Sequence, residues 1–328
     1  MITTVAGSYP RIGDTEQEQR LRRAIHDCDN GKITREQLAK IEDEVTCEVI
    51  KEQDNTGIDI VSDGGIRWHD QFSYFAGKLQ GIEITGLVRY FDTNTLYHQP
   101  VIRSEIRWTK PVMVRDFEFA KTCTSKPVKV ILPGPVTLAA NSVDKHYNNY
   151  ANLVGAYAKA LTQEVAALFK AGCPLIQIDE PSLVYDSEIV SLDVCEWALK
   201  EIAGARTSDA GKLALYTYFG SPARIYDFLL DGPYDIIGLD FTYAPECMEL
   251  IEKKQPKASL AAGIVDARNT KMEGDEVGQK LQKIASIVGA DNLYVNPNCG
   301  LEFLPRSVAR KKLEKMVAMT RSASGGNK

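Results

Sequence analysis

Eight short apolar runs are spaced along the chain, and each gives way to a polar residue or a glycine. They are Ile2–Ala6 before Gly7 and Ser8, Ile58–Val61 before Ser62 and Asp63, Val128–Leu132 before Gly134, and Leu175–Ile178 before Asp179 and Glu180. Leu213–Thr217 before Tyr218, Ile236–Leu239 before Asp240, Ser259–Ile264 before Asp266, and Leu293–Val295 before Asn296 and Cys299 complete the set. Runs this short, separated by helical stretches, predict parallel strands buried on both faces. Eight of them predict an α/β fold of the TIM (β/α)8 barrel class, whose chemistry sits at the carboxyl ends of the strands. The residues that close the runs are therefore site candidates, and histidine closes none of them.

The connecting stretches carry helical signals. Thr34-Arg-Glu-Gln37 matches a capping box. It opens a predicted helix through Ile50 to about Gln53, with Gly57 ending the connection. Further helices are predicted over Tyr147–Ala171, Cys195–Ile202, Pro222–Leu230, Glu246–Lys254, Gly274–Gly289 and Pro305–Thr320. Residues 81–126 break the pattern: they are rich in aromatics and charge and weakly periodic. The alternating run Val101–Trp108 predicts an exposed hairpin. A hairpin-containing insertion after the second strand would lie over the barrel mouth, where long loops act as lids or binding surfaces. A single barrel domain over residues 1–328 is the expectation.

Composition narrows the function classes. With 44% hydrophobic and 25% charged residues among 328, the chain has the profile of a soluble protein with a full core. Its formal charge of −5 gives nucleic acid no obvious purchase. No apolar stretch approaches the ~18 residues of a membrane span. The start shows no signal-peptide pattern, so a cytoplasmic protein is expected. The seven cysteines are scattered, odd in number and lack C-x-x-C spacing. That favours a reducing compartment and small core thiols over a disulfide framework.

Among the strand ends, Gln177-Ile-Asp-Glu-Pro181 is the sharpest signal. Neighbours on an extended chain point to opposite sides. One of Asp179 and Glu180 can then face the mouth, for acid–base work or to hold an ammonium group, while the other anchors a loop or helix terminus. Gly134, between two prolines, leaves room either for a ligand near the backbone or for a tight turn. Tyr218 and Asp240 can donate and accept hydrogen bonds at the mouth. Asp63 and His69 follow the second strand. Arg22 and Arg89 are candidate anion binders, since arginine suits carboxylate and phosphate forks. Cys299 is the one cysteine placed at the mouth, as a thiolate ligand or nucleophile.

These residues together resemble the cobalamin-independent methionine synthase family along essentially the full chain. The resemblance rests on Gly7-Ser-Tyr-Pro-Arg-Ile-Gly13, Phe91-Asp-Thr-Asn94, Gly134-Pro-Val-Thr137, Gln177–Pro181 and Asn296–Gly300. It implies a TIM barrel and methyl transfer from a methyltetrahydrofolate to homocysteine, with zinc activating the thiol. Full-length members hold two related barrels, of which the C-terminal one is catalytic. This chain resembles the N-terminal barrel more closely, through Trp68-His-Asp70, Tyr90–Asn94 and Thr217–Ser221. Tyr218 and Gly220 stand where the catalytic barrel has histidine and cysteine ligands, Asp240 where it has glutamate, and Gly65 where a glutamate meets the homocysteine amino group. Only Cys299 is retained as a metal candidate, and whether zinc binds is left open.

Asp179, Glu180, Tyr218 and Asp240, all at strand ends, are the catalytic candidates, and by the resemblance Asp179 matches the aspartate of the substrate site. Ser8, Asp63, Trp68 and Asn94 are substrate-binding candidates, and Arg22 and Arg89 would take the folate polyglutamate tail. The expected partners are small-molecule substrates and a separate zinc-bearing catalytic barrel, with no nucleic acid and no membrane. A self-sufficient methyltransferase with altered thiol activation, and a non-catalytic binder of small acids, are the alternatives.

Overall fold

The computed structural model describes residues 1–185, 191–206 and 211–324. Eight strands form one sheet: β1 (Ile2–Thr3), β2 (Val61–Ser62), β3 (Val128–Pro133), β4 (Leu175–Asp179), β5 (Lys212–Tyr216), β6 (Ile236–Asp240), β7 (Ser259–Val265) and β8 (Leu293–Pro297). Their order is β1-β8-β7-β6-β5-β4-β3-β2, so from β2 to β8 each strand neighbours the next in sequence, and β1 lies beside β8. Every residue of β3, β4, β6 and β8 is buried. This is the two-sided burial that the continuous apolar runs predict, and the α/β barrel class follows from it.

The chain divides into two compact units, Met1–Arg67 with Glu118–Val128 and Ala262–Lys328, and Trp68–Phe117 with Lys129–Ala261. In the first, β1 pairs in parallel with β8 (Ile2↔Tyr294, Thr3↔Val295), and a parallel bridge joins Thr4 to Ile60. β1 and β2 are shorter than their apolar runs. The Asp59 carboxylate accepts both the N–H and the hydroxyl of Thr3, at 2.7 Å each. The capping box at Thr34 and Gln37 forms, and its helix runs Arg35–Thr56 to Gly57 in the left-handed conformation (φ 84°). The cysteine expectation needs correction here. Cys47 and Cys123 form a disulfide across 76 residues of sequence, a pairing that no local spacing could announce. Of the five free cysteines, Cys173, Cys195, Cys247 and Cys299 are buried, as small core residues are.

In the second unit, β3, β4, β5 and β6 pair in parallel register, with Pro133↔Asp179, Asp179↔Tyr216 and Tyr216↔Gly238 at their carboxyl ends. The predicted hairpin is present as Gln80–Arg89 against Leu96–Arg107. Its second strand is not simply exposed: Val101 and Ile102 are buried and pair with Val143 and Asp144. The weakly periodic stretch also contains a helix, Val114–Thr122. The backbone N–H groups of Val112 and Met113, just before that helix, are accepted by the buried carboxylate of Glu164, more than fifty residues away. A start fixed by so distant a partner leaves little local signal.

Candidate active site

The best-defined polar cluster lies in the second unit, at the carboxyl end of β4. Gln177 and Asp179 are two apart on an extended strand and so share one face. The side chain of Asp179 is buried, and three donors converge on its carboxylate. Gln177 Nε2 donates to Oδ1 at 2.6 Å. Gln71 Nε2 and the Tyr218 hydroxyl donate to Oδ2 at 2.9 and 3.1 Å. Burial pushes the Asp179 carboxyl up to about 6, against the pull of these donors and of Lys129. Lys129, fully buried on β3, donates from Nζ to Gln177 Oε1 at 2.6 Å, and burial pushes its ammonium down to about 7.

Aromatic rings stand around this cluster. The Tyr90 hydroxyl, at the turn of the hairpin, donates to Gln71 Oε1 at 3.4 Å. Phe91 meets Phe219 at 5.6 Å and Tyr185 at 5.1 Å between centroids, and Tyr90 meets Phe219 edge-on at 6.1 Å. Phe91 and Phe219 both hold positive φ, 47° and 73°. Left-handed backbone is costly for a bulky residue and gathers at functional turns. The hairpin turn therefore packs against the segments that follow β4 and β5.

Glu180 faces the other way. Its carboxylate accepts from Val136 N (2.9 Å), Thr137 N (2.8 Å) and Thr137 Oγ1 (2.6 Å), at the start of the helix Pro135–Ala140. Burial nevertheless pushes it up to about 7. A Cβ at Gly134 would lie 2.2 Å from Glu180 Cδ. The glycine between prolines thus makes room for this carboxylate, not for a ligand. Of the two strand-end acids, Glu180 is the one whose carboxylate meets the start of a helix. Asp240, also buried, folds its own turn: Oδ1 accepts from Thr242 N and Tyr243 N at 2.9 and 3.0 Å.

The remaining second-unit candidates are dispersed. Trp68 is buried beside Tyr74, and its indole N–H has no hydrogen-bond partner among the described residues. Arg89 and Asn94 are exposed on the hairpin. In the first unit, the backbone brings Ser8 and Cys299 into one place. Leu301 N donates to Ser8 O at 2.8 Å, and a Cβ on Gly7 would sit 2.6 Å from Gly300 Cα. Asp63 accepts from Gly65 N at 3.0 Å in a tight turn. Arg22 is exposed on the helix Arg20–Asp29.

Gln71 and Lys129 carry no assignment from the sequence, and Gln177 enters it only as the first residue of the Gln177–Pro181 motif. A lysine inside the apolar run Val128–Leu132 was the available signal for Lys129, because an unpaired lysine is rarely buried. Gln71 gave none, since its role depends on a partner 108 residues away.

Parallel strands with buried, hydrogen-bonded acids at their carboxyl ends define an α/β barrel protein with a strand-end site. The model of the family described as "Cobalamin-independent synthase, Catalytic domain" matches residues 1–322. The chain is 32% identical to a methionine synthase of Saccharolobus solfataricus over 324 residues, covering 97% of this chain and 93% of that one. It is 30% identical to a methionine synthase of Sulfurisphaera tokodaii, with 97% and 91% covered. Among solved structures it is similar to a B12-independent methionine synthase from Shewanella sp. W3-18-1 in complex with selenomethionine. That likeness has a TM-score of 0.81 and 25% identity, covering 98% of this chain and 97% of that one. A methyltransferase from Methanosarcina mazei shares the fold, with a TM-score of 0.62 at 12% identity over 97% and 94% of the two chains. The chain belongs to the cobalamin-independent methionine synthase family, which places it among methyltransferases.

The zinc that the family implies does not fit the residues present. Among the described residues, no three His, Cys, Asp or Glu side chains form a group that could hold a metal ion. Cys299 is buried and turns its thiol to Gly300 O at 3.6 Å. Tyr218 gives its hydroxyl to Asp179. At Gly220 a Cβ would lie 2.5 Å from Val184 O, so a larger residue has no room without a backbone shift. Among the described residues no helix is long and apolar enough to cross a membrane.

Proposed function

We propose that this chain acts in methyl transfer from a methyltetrahydrofolate to homocysteine, as a single barrel domain resembling the N-terminal half of the family. A separate zinc-bearing chain supplies thiol activation. Asp179 carries the proposal: three side-chain donors converge on its carboxylate, which is oriented for a ligand. In this reading it takes the ammonium group of the amino acid, a class to which the selenomethionine of the Shewanella relative belongs. Tyr218 and Gln71 fix the carboxylate, and Tyr90, Phe91 and Phe219 exclude water around the amino-acid side chain. Excluding water strengthens the ion pair. Ser8, Asp63, Trp68 and Asn94 are assigned to substrate contacts, with Asp240 shaping the loop after β6. Arg22 and Arg89, both exposed cations, serve the polyglutamate tail of the folate. A cytoplasmic location goes with this chemistry; a reducing compartment would hold Cys47 and Cys123 as thiols.

The test is to mix the chain with a zinc-bearing catalytic barrel and assay methionine formation with polyglutamated methyltetrahydrofolate. A rise in rate or in folate affinity is expected, and no change in either refutes the partnership. A self-sufficient methyltransferase is the second reading. It is favoured by relatives named methionine synthase that this chain matches over 93% of their length. Zinc bound stoichiometrically and lost in Cys299→Ala, with turnover by the chain alone, would establish it instead.

A further inference from the structure

β3 and β4 place a charged ladder inside the second unit. In their register Lys129 lies opposite Leu175, Ile131 opposite Gln177 and Pro133 opposite Asp179. Lys129 therefore starts four residues below the level of Asp179, and its long side chain climbs towards Gln177. Nζ donates to Gln177 Oε1 at 2.6 Å, and Gln177 Nε2 donates to Asp179 Oδ1 at 2.6 Å. The amide has one orientation that serves both neighbours: oxygen to the lysine, nitrogen to the carboxylate. All three side chains are buried, at 1%, 0% and 1% exposure. Building a lysine into a strand interior is expensive unless its charge is matched. The match here is Asp179, reached through a polarised amide and not by direct contact.

We propose that Lys129 is a positioning residue which, through Gln177, holds Asp179 ionised and aimed for the substrate ammonium. This rests on the reading of Asp179 as the ammonium site. A neutral partner in place of Lys129 would leave a buried carboxylate with hydrogen bonds but no counter-charge, and such a group takes up a proton. The other groups that face the pair are fixed by the same geometry. The Tyr216 ring lies 5.2 Å from Lys129 Nζ, Tyr218 and Gln71 hold Oδ2, and the charge of Asp179 opposes ionisation of Glu180, next in sequence. The directions agree: burial raises Asp179 and lowers Lys129, while each one's charge favours the charged form of the other.

The test separates Lys129 from the substrate reading. Infrared difference spectra between the wild type and Asp179→Asn, without ligand, follow the Asp179 carboxylate as pH is varied. In Lys129→Met, compared with its own Asp179→Asn partner, the titration midpoint should rise by about one pH unit or more. An unchanged or lowered midpoint overturns the proposal. Should Lys129→Met fail to fold, Lys129→Gln keeps a donor to Gln177 and removes only the charge, so the midpoint should still rise. Calorimetry with L-methionine at pH 8.5 then tests the reading beneath it. Asp179→Asn should lose binding at least tenfold. If it binds like the wild type, Asp179 is not the ammonium site and the role of Lys129 in substrate binding falls with it, even where the midpoint moves.

Discussion

Replacing Tyr218 with phenylalanine removes one hydroxyl and little else. That hydroxyl is one of two donors on Asp179 Oδ2, at 3.1 Å, in a buried site. A hydrogen bond to an ionised acceptor contributes about 1.5–3 kcal/mol, and one to a neutral acceptor about 0.5–1.5 kcal/mol. Tyr218→Phe therefore disfavours the ionised form of Asp179 over the protonated form by about 1.4 kcal/mol, or about one pKa unit. Starting from about 6, the acid limb of L-methionine binding should move to about 7. At a pH of about 6.5 the ionised fraction falls from about three-quarters to about one-quarter, a roughly threefold loss of affinity. Near pH 8.5 both proteins hold Asp179 ionised, and their affinities should agree within about twofold. Calorimetric titration across pH 5.5–9 measures this. An equal loss at every pH would refute the reasoning, because it would mean that the hydroxyl contacts the ligand or merely shapes the pocket. No loss at the acid end would show that it does not stabilise the carboxylate at all.

Glu164→Gln should lower stability by about 3–5 kcal/mol in urea unfolding, because one arm of the amide then faces a buried N–H where the carboxylate accepted from Trp108, Val112 and Met113. Lys312→Ala should cost a similar ~3–5 kcal/mol, since it strands the Glu273 carboxylate that the buried ammonium meets at 2.7 Å; Lys312→Met paired with Glu273→Leu should recover much of the loss. The pH dependence of stability should pass through a minimum near neutrality for the Lys129, Asp179 and Glu180 set. Asp179 and Glu180 are raised, so between about pH 4 and 7 the folded chain holds protons the unfolded chain has released, and stability falls as pH rises. Lys129 is lowered to about 7, so above that pH the unfolded chain holds the extra proton and stability rises; urea midpoints at pH 5, 7 and 9 should show that rise in the wild type and not in Lys129→Met. Serine at both Arg22 and Arg89 should weaken binding of polyglutamated folate more than of monoglutamate, read by fluorescence titration at two salt concentrations.

The eight apolar runs located every strand of the eight-stranded sheet, because a strand buried on both faces is apolar along its length. Their ends were less legible. β1 spans only Ile2–Thr3 and β2 only Val61–Ser62, each shorter than the apolar run that announced it. The helix Val114–Thr122 stayed hidden inside a stretch read as insertion, since a remote glutamate accepts the N–H groups at its start. The disulfide between Cys47 and Cys123 contradicted a reading based on spacing, because Cα atoms 5.2 Å apart in space stand 76 residues apart in sequence.

What the sequence determined by itself was periodic or contiguous. It fixed the class of fold, the capping box at Thr34, the hairpin, and a pair of acids of which one would face inward and the other anchor. Strand alternation requires Asp179 and Glu180 to diverge, but it cannot say which does which. The tertiary structure decided that, by bringing the amides of Val136 and Thr137 to Glu180, and Gln71, Gln177 and Tyr218 to Asp179. It also turned Lys129 from an anomaly in an apolar run into the counter-charge of that site. Hydrogen bonds and charge pairing depend on distance in space, and only the folded register of β3 against β4 sets that distance.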